Sequence, residues 1–160
     1  MSEFQSITED VIVGKDVYLG KFINLYGCRI GDQCRIGPFV EVQRGVSIGK
    51  LCKISSHTFI CAGVGIGDEV FVGHGVMFIN DRYPKTTTAS GTLENSEDWK
   101  HRFEQTVIED RVSIGSNTTI MCGVTIGKGA AIGAGSVVVS DIPAGEVWVG
   151  NPARFLKTRS

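Results

Sequence analysis

The 160-residue sequence has little leucine and no long apolar run. It contains five leucines against 16 isoleucines and 18 valines. Because β-branched residues suit strands and are less favourable in helices, an all-helical fold is excluded. The longest apolar runs, such as residues 75–79, fall far short of the roughly 20 residues that a transmembrane helix needs.

Neither sign of charge dominates, and the cysteines form no recognisable motif. The 16 basic and 17 acidic residues give a net charge of −1, so no global field indicates a nucleic-acid or anionic-membrane partner. The five cysteines are odd in number and include no C-x-x-C pair. The first residues lack the basic and apolar regions of a secretion signal. We therefore expect one soluble domain, residues 1–160, in the reducing cytoplasm.

A repeat with a period of six residues runs along most of the chain. This period matches neither the 3.6 residues of a helical turn nor simple strand alternation. The residue after each apolar anchor is often glycine, and the fourth residue after it is usually small or β-branched. The anchors are Val13, Leu19 and Leu25, then Ile30, Ile36, Val42, Ile48, Ile54, Ile60, Ile66, Val72 and Phe78, and finally Ile108, Ile114, Ile120, Ile126, Ile132 and Val138.

The repeat predicts a triangular β-solenoid in which each hexad supplies one short strand and one corner. Three hexads close a coil of about 18 residues, so the 18 anchors predict about six coils stacked by parallel strand pairing at roughly 4.8 Å. Residues 18 apart then lie above one another. Cys34 and Cys52 both occupy core slots, and we expect them to stack inside the solenoid.

Over about residues 11–154, this hexapeptide repeat resembles that of the left-handed parallel β-helix acyltransferases. The resemblance implies an all-β fold with a left-handed coil, a hand that the spacing alone does not give. It also implies a homotrimer and transfer of an acyl group from a coenzyme A thioester to an amine or a hydroxyl.

The period fails between Phe78 and Ile108, where the sequence predicts a long loop at about residues 80–106. In the family such an excursion lies where substrate binds, whereas the alternative is a tolerated surface insertion. Asn80 opens the loop and stacks in a column with Arg44 and Ala62. Its side chain either faces the space that the loop covers or only turns the chain out of the last strand.

His57 and His74 are 17 residues apart, which predicts adjacent slots on one corner of the solenoid. Ser56 is then stacked with His74, and Gly75 above His57 leaves open space in which a ligand could lie. Asn117 extends this column if the loop skips no face. The histidines are candidate general bases, and the alternative is a solvent-facing polar corner. His101, in the loop, is expected at the surface.

The segments 56–61 and 73–81, with the V-G-N-P-A-R ending at residues 149–154, look like those of the nucleotide-sugar N-acetyltransferases. These enzymes acetylate the amino group of dTDP- or UDP-linked amino sugars, often 3-amino sugars for surface polysaccharides. The resemblance implies that Asn80 and Asp81 hold the sugar near its amine and that His57 acts as base or positions the amine. We also expect substrate contacts from three more residues, Arg44, His74 and Tyr83.

The resemblance also implies acetyl-CoA as co-substrate and no metal. In the family coenzyme A lies in the groove between adjacent β-helices, along the C-terminal coils. Arg154, Lys157 and Arg159 could meet its phosphates, or they form a solvated basic tail. The small residues that would let pantetheine approach the backbone are Gly123, Gly129, Ala130, Gly135 and Ser136.

Three alternatives stay open. One is O-acetylation of a sugar or serine with His57 or His74 as base, although the related galactoside and maltose enzymes carry histidine where Tyr83 precedes Pro84. Another is a γ-type carbonic anhydrase, in which His101 would join the other two histidines on zinc. The third is a non-enzymatic scaffold.

Overall fold

The structure, a computed structural model, describes residues 4–159 as a β-solenoid of about eight turns. The chain winds through three sheets of short parallel strands, visiting each sheet once per coil. Residues 1–3 and 160, included in the predicted domain, lie outside the described residues. None of the helices in residues 4–159 is long and apolar enough to span a membrane.

The strands are numbered along the chain. The first sheet contains β1 (Gln5–Ile7), β4 (Ile23–Leu25), β7 (Glu41–Val42), β10 (Phe59–Ile60), β13 (Met77–Phe78), β16 (Thr119–Ile120) and β19 (Val137–Val138). The second contains β2 (Ile12–Val13), β5 (Arg29–Ile30), β8 (Ser47–Ile48), β11 (Val64–Ile66), β14 (Thr106–Ile108) and β17 (Thr125–Ile126). The third contains β3 (Tyr18–Leu19), β6 (Arg35–Ile36), β9 (Lys53–Ile54), β12 (Phe71–Val72), β15 (Ser113–Ile114), β18 (Ala131–Ile132), β20 (Glu146–Val149) and β21 (Arg154–Thr158).

The solenoid has more turns than the six that the anchors predict. At the N-terminus, β1 brings Ile7 into register with Leu25, one hexad before the first predicted anchor. At the C-terminus, Trp148 pairs with Ile132 although it lies ten residues after Val138 and so breaks the six-residue spacing. β21 then folds back antiparallel to β20 and closes the third sheet.

The anchors form the core as predicted. From Leu25 to Val138 every anchor side chain is at most 4% exposed. Val13 is 39% exposed because β2 is the terminal strand of its sheet and none of residues 4–159 forms a coil below it. Burial of these isoleucine and valine side chains, each worth about 1.5–3 kcal/mol, is the main source of stability.

The predicted stacking of two cysteines is confirmed. Cys34 and Cys52 are both buried, and the Cys52 backbone N–H donates to the Cys34 Sγ over 3.4 Å. All five cysteines are free and buried. Burial raises the pKa of the Cys61 thiol to about 12, which keeps this thiol protonated and unreactive at neutral pH.

The loop leaves the first sheet after β13 and returns to the second sheet at β14, so no face is skipped. Phe71 pairs with Lys53 below the loop and with Ser113 above it. The excursion contains one short helix, α1 (Ser96–Trp99), followed by a 3₁₀ turn (Lys100–Arg102). Where coils stack most closely, glycine is required: a Cβ on Gly73 would lie 2.6 Å from the Ser116 nitrogen.

Candidate functional site

His57 lies on the corner that joins the third sheet to the first, which we call the histidine corner (turns 20–22, 37–39, 55–57, 73–75, 115–117 and 133–135). Its imidazole stacks on the Phe39 ring, with centroids 4.8 Å apart. Phe39 stacks on Phe22 at 5.1 Å, and Phe22 contacts Phe4 at 5.2 Å. His57 therefore terminates a column of four rings, and this column fixes the plane of the imidazole.

The φ of His57 is +61°, in the left-handed region. Phe22 and Phe39 have φ values of +58° and +59° at the equivalent turn position, as do other non-glycine residues of the solenoid. The conformation therefore belongs to the tight corner of the repeat, and it does not by itself indicate a functional residue.

The two histidines occupy adjacent slots on this corner, as the spacing predicts. His74 Nδ1 lies 2.9 Å from the Ser56 Oγ, and Gly75 is stacked on the turn of His57. Asn117 extends the column, because its backbone N–H donates to the His74 carbonyl over 2.7 Å. Its Oδ1 reaches over Gly75, so the space above the imidazole is narrower than expected and is bordered by an amide.

Asn80 lies on a different corner, which joins the first sheet to the second; we call it the loop corner (turns 26–27, 43–45, 61–63, 79–80 and 121–123). The Asn80 Nδ2 donates to the Ala62 carbonyl over 3.1 Å, which confirms the column predicted there. Arg44 is in the same column but runs the other way, across Gly27 to an ion pair with Asp10. Its guanidinium therefore points away from Asn80.

Asp81 is a buried anchor of the loop. Its carboxylate accepts from Arg102 Nε over 2.8 Å and from the Tyr83 backbone N–H over 3.0 Å. Burial opposes ionisation of Asp81, but these hydrogen bonds outweigh it and leave the pKa below its ordinary value. Arg102 also binds Glu94 at 2.7 Å. Since both Asp81 oxygens are used within the chain, its predicted contact with substrate stays a prediction, as does that of the exposed Tyr83.

His57 and Asn80 are not brought together within one chain. They lie at opposite ends of the strands of the first sheet: His57 is on the histidine corner, before β10, and Asn80 is on the loop corner, after β13. A single site that uses both residues therefore needs a second copy of the chain, placed so that its loop corner faces this histidine corner.

The small residues predicted to line the coenzyme A groove fall into three groups. Gly129 and Gly135 have φ near +70°, and a Cβ built on either would meet nothing within 4 Å, so both face open space. Gly123 is covered by the Glu104 carboxylate, which pairs with Arg82 at 3.3 Å.

The side chains of Ala130 and Ser136 face the core, while the predicted approach of pantetheine to the backbone of these two residues stays a prediction. Both are fully buried in core slots, since they are the fourth residues of their hexads and point inward. The Ser136 hydroxyl donates to the Gly133 carbonyl over 2.7 Å and accepts from the Gly150 N–H. Neither side chain can therefore contact a ligand in an external groove.

A basic cavity on the C-terminal coils contains Arg159, which the sequence predicts near the phosphates, and two cations that the sequence did not predict there, Arg111 and Lys128. Arg159 Nη1 donates to the Gly129 carbonyl over 3.1 Å, while Arg154 and Lys157 project into solvent from β21. Arg159 joins Arg111 and Lys128 around a cavity of about 540 Å³. The sequence carried one signal: residues 111, 129 and 145 each follow an apolar residue by three positions and so share a corner.

Within residues 4–159 no group of three or more His, Cys, Asp or Glu side chains is arranged to hold a metal ion. His57 faces an aromatic ring, His74 faces a serine, and His101 lies in the exposed 3₁₀ turn of the loop.

Comparison with known proteins gives a consistent family. The profile described as "Bacterial transferase hexapeptide (six repeats)" matches residues 27–62 and 105–140. The bifunctional protein GlmU of Heliobacterium modesticaldum is 34% identical over 145 residues, which is 89% of this chain. That alignment spans 30% of GlmU, so the chain covers less than a third of the length of the curated relatives it matches.

Two solved structures share the fold over most of both chains. One is a single-residue mutant of AntD, an N-acyltransferase from Bacillus cereus, in complex with dTDP and coenzyme A; it covers 92% of this chain and 84% of its own, with 25% identity and a TM-score of 0.75. The other is a hexapeptide-repeat acetyltransferase from Vibrio cholerae in complex with acetyl coenzyme A, with 26% identity, coverage of 94% and 72%, and a TM-score of 0.57. Residues 27–62 and 105–140, which form part of the periodic core, therefore belong to the bacterial transferase hexapeptide family.

Proposed function

We propose that this protein is an acetyl-CoA-dependent N-acetyltransferase that acts on the amino group of a dTDP- or UDP-linked amino sugar. The observation that carries the proposal is the likeness to AntD over 92% of this chain, because that N-acyltransferase was crystallised with both dTDP and coenzyme A. The further expectation is a 3-amino sugar that is acetylated in the cytoplasm for surface polysaccharide synthesis.

The proposed reaction makes modest demands on the protein. A neutral amine attacks the thioester carbonyl, the C–N bond forms, and the C–S bond of the tetrahedral intermediate then breaks. The amine loses one proton, and the departing thiolate can take it up. His57 is suited to carry or position that proton because its ring is held by Phe39 on one side and faces Gly75 on the other.

The proposed active site lies between subunits of a homotrimer. Asn80 and His57 occupy different corners of one chain, so a site with both residues requires the loop corner of one subunit to face the histidine corner of the next. Closed cyclic assembly satisfies this requirement for every copy. Apolar side chains available for such packing include Phe71, Met77 and Trp99, each between 37% and 39% exposed.

Coenzyme A would occupy the C-terminal coils. Gly129 and Gly135 leave the backbone open to close approach by pantetheine, and the basic cavity of Arg111, Lys128 and Arg159 offers cations for the phosphates. Arg154 and Lys157, which the sequence predicts near the phosphates, are exposed on β21 just before Arg159 and would add to the positive charge there.

A thiol-release assay with acetyl-CoA and a panel of dTDP- and UDP-linked amino sugars tests this function. We expect coenzyme A release that depends on one nucleotide-linked amine and a product that carries one additional acetyl group by mass spectrometry. The matched control is the same nucleotide sugar with a hydroxyl in place of the amine. Release with the hydroxyl compound alone would support the O-acetyltransferase alternative, and release with neither would reject the proposal.

A further inference from the structure

The outer face of the third sheet carries a cavity that the proposed function has not used. Its volume is about 430 Å³, and it lies on the N-terminal coils beside the histidine corner. Tyr18, Arg35 and Lys53 line its outer part, whereas Ser55, Ser56 and His74 line the end nearest the corner. The cavity therefore runs from an exposed aromatic ring to one of the two candidate histidines.

Two cations face each other across adjacent strands in this cavity. Arg35 on β6 is in direct register with Lys53 on β9. Like charges directly opposite one another in a sheet are destabilising. Neither cation has an ion-pair partner within residues 4–159, whereas Arg44, Lys50, Arg102 and Lys128 all have one. The Lys53 Nζ leans away from Arg35, over the Phe71 ring at 5.7 Å.

Tyr18 adds a flat aromatic surface to this charge. It is in register with Arg35 and is 60% exposed, which is high for a large side chain on a sheet. An aromatic ring beside unpaired cations is the combination that binds a base by stacking and its phosphates by charge.

Ser55 supplies an independent observation. It occupies the turn position at which the coils below and above have Gly37 and Gly73. The residue is 4% exposed and lines the cavity, yet its Oγ has no hydrogen-bond partner among the described residues. A buried hydroxyl without a partner is costly, so an acceptor or donor on a bound ligand would satisfy it.

We propose that this cavity binds the nucleoside diphosphate of the acceptor substrate, with Arg35 and Lys53 on the pyrophosphate and Tyr18 on the base. The proposal rests on the proposed function and places the sugar end of the substrate toward His74 and the histidine corner. Coenzyme A also contains a nucleotide pyrophosphate, but the cavity of Arg111, Lys128 and Arg159 shares no residue with this one and lies on the C-terminal coils.

Calorimetric titration of the purified protein with dTDP, UDP and coenzyme A, each alone, tests the proposal. Loss of one charge-assisted contact should weaken binding of the preferred nucleoside diphosphate about tenfold in Arg35→Ala and in Lys53→Ala, with coenzyme A affinity unchanged. Arg29→Ala is the matched control, because Arg29 also precedes an anchor isoleucine but on the second sheet. It should change neither affinity.

Ser55→Gly provides a second variant that the fold accommodates, since Gly37 and Gly73 occupy the equivalent turns. We expect weaker dTDP or UDP binding with no loss of thermal stability. A purely structural serine would change the thermal midpoint and leave binding unaltered.

The outcomes separate this inference from the proposed function. Wild-type affinity for dTDP and UDP in the Arg35→Ala/Lys53→Ala double variant overturns the inference, even if acetyl transfer occurs. Loss of coenzyme A binding instead assigns the cavity to the donor and also overturns it. Nucleotide binding that depends on Arg35 and Lys53, without transfer to any amino sugar, supports the inference and rejects the function. Absence of binding of either nucleoside diphosphate to the wild type rejects the cavity assignment.

Discussion

The imidazole of His57 stacks on the ring of Phe39 with 22° between the two planes. This contact holds one face of the imidazole against the coil below and leaves the other toward Gly75 and Asn117. Stacking therefore fixes the orientation of the ring without a carboxylate partner among residues 4–159, an arrangement that suits positioning of the amine or proton uptake.

His57→Asn is expected to retain measurable activity. General-base assistance is worth about 10²- to 10⁴-fold, and we expect a loss near the lower figure because an amine needs only to be neutral to attack. Raising the pH from about 6 to 9 should partly restore the rate as more amine becomes neutral. His101→Asn, in the exposed loop, is the control. A near-total loss at every pH would instead favour a hydroxyl acceptor.

Asn80→Ala should lower turnover far more than it lowers the thermal midpoint. The side chain makes one hydrogen bond, to the Ala62 carbonyl, worth about 1 kcal/mol. That loss of stability corresponds to a fall in the thermal midpoint of about 2–4 °C. Turnover should fall at least tenfold, because the variant also loses one polar contact to the substrate. Asn24→Ala, on the outer face of β4, is the matched control. If activity falls only in proportion to the folded fraction, Asn80 is structural.

The Asp81–Arg102 ion pair should hold the loop at neutral pH and release it in acid. Because the pKa of Asp81 is below its ordinary value of 3.8, its ionised form stabilises the folded loop. That contribution is complete above pH 3.8 and is lost as the pH falls through the lower, folded-state pKa. The protection factors of the amides in residues 79–105, each taken against the intrinsic exchange rate at the same pH, should therefore fall in this acid range, while those of the solenoid strands stay high.

In Arg102→Gln the amides of the loop should already lose their protection against hydrogen exchange at pH 7. Lys100→Gln is the control, since Lys100 pairs with Glu97 on the exposed helix surface. Equal protection of the loop in wild type and Arg102→Gln at pH 7 would mean that other contacts hold the excursion.

Subunit mixing tests whether His57 and Asn80 meet across an interface. Neither His57→Asn nor Asn80→Ala alone supplies a complete site. In random mixed trimers about one quarter of the sites combine an intact His57 with an intact Asn80 from the neighbouring copy. Refolding the two variants together should therefore raise activity toward about one quarter of wild type. If the mixture is no more active than the mean of the two variants assayed alone, the two residues do not meet across an interface: either they serve a site within one chain, or at least one of them lies outside the active site.

The periodic part of this fold is predictable from sequence because each coil repeats one local rule. The anchors Ile54 and Val72 identify core positions and predict that His57 stacks beneath Gly75. The same spacing predicts that Cys34 stacks beneath Cys52. The two ends depart from the rule. Ile7 lies one hexad before the first predicted anchor, and Trp148 breaks the six-residue spacing, so the number of turns was underestimated.

The loop and the basic cavity were not predictable in detail. Arg102 binds Asp81 and Glu94 across 21 and 8 residues, and the loop has no period that would relate these positions. Small residues occur both in core slots, as Ala130 and Ser136 do, and on open corners, as Gly129 and Gly135 do, and only the position within the hexad distinguishes the two. The aromatic column did carry a signal, since Phe22, Phe39 and His57 each follow an anchor by three residues.

The most direct test of the account is a competition between two otherwise identical nucleotide sugars, one with an amine and one with a hydroxyl at the same carbon, for acetyl-CoA and wild-type protein. Mass spectrometry of both products over time gives the ratio of the two specificity constants. We predict acetylation of the amine compound, with a rate that rises with pH as the amine becomes neutral, and no acetylation of the hydroxyl compound. Acetylation of the hydroxyl compound at an equal or greater rate would contradict the N-acetyltransferase assignment.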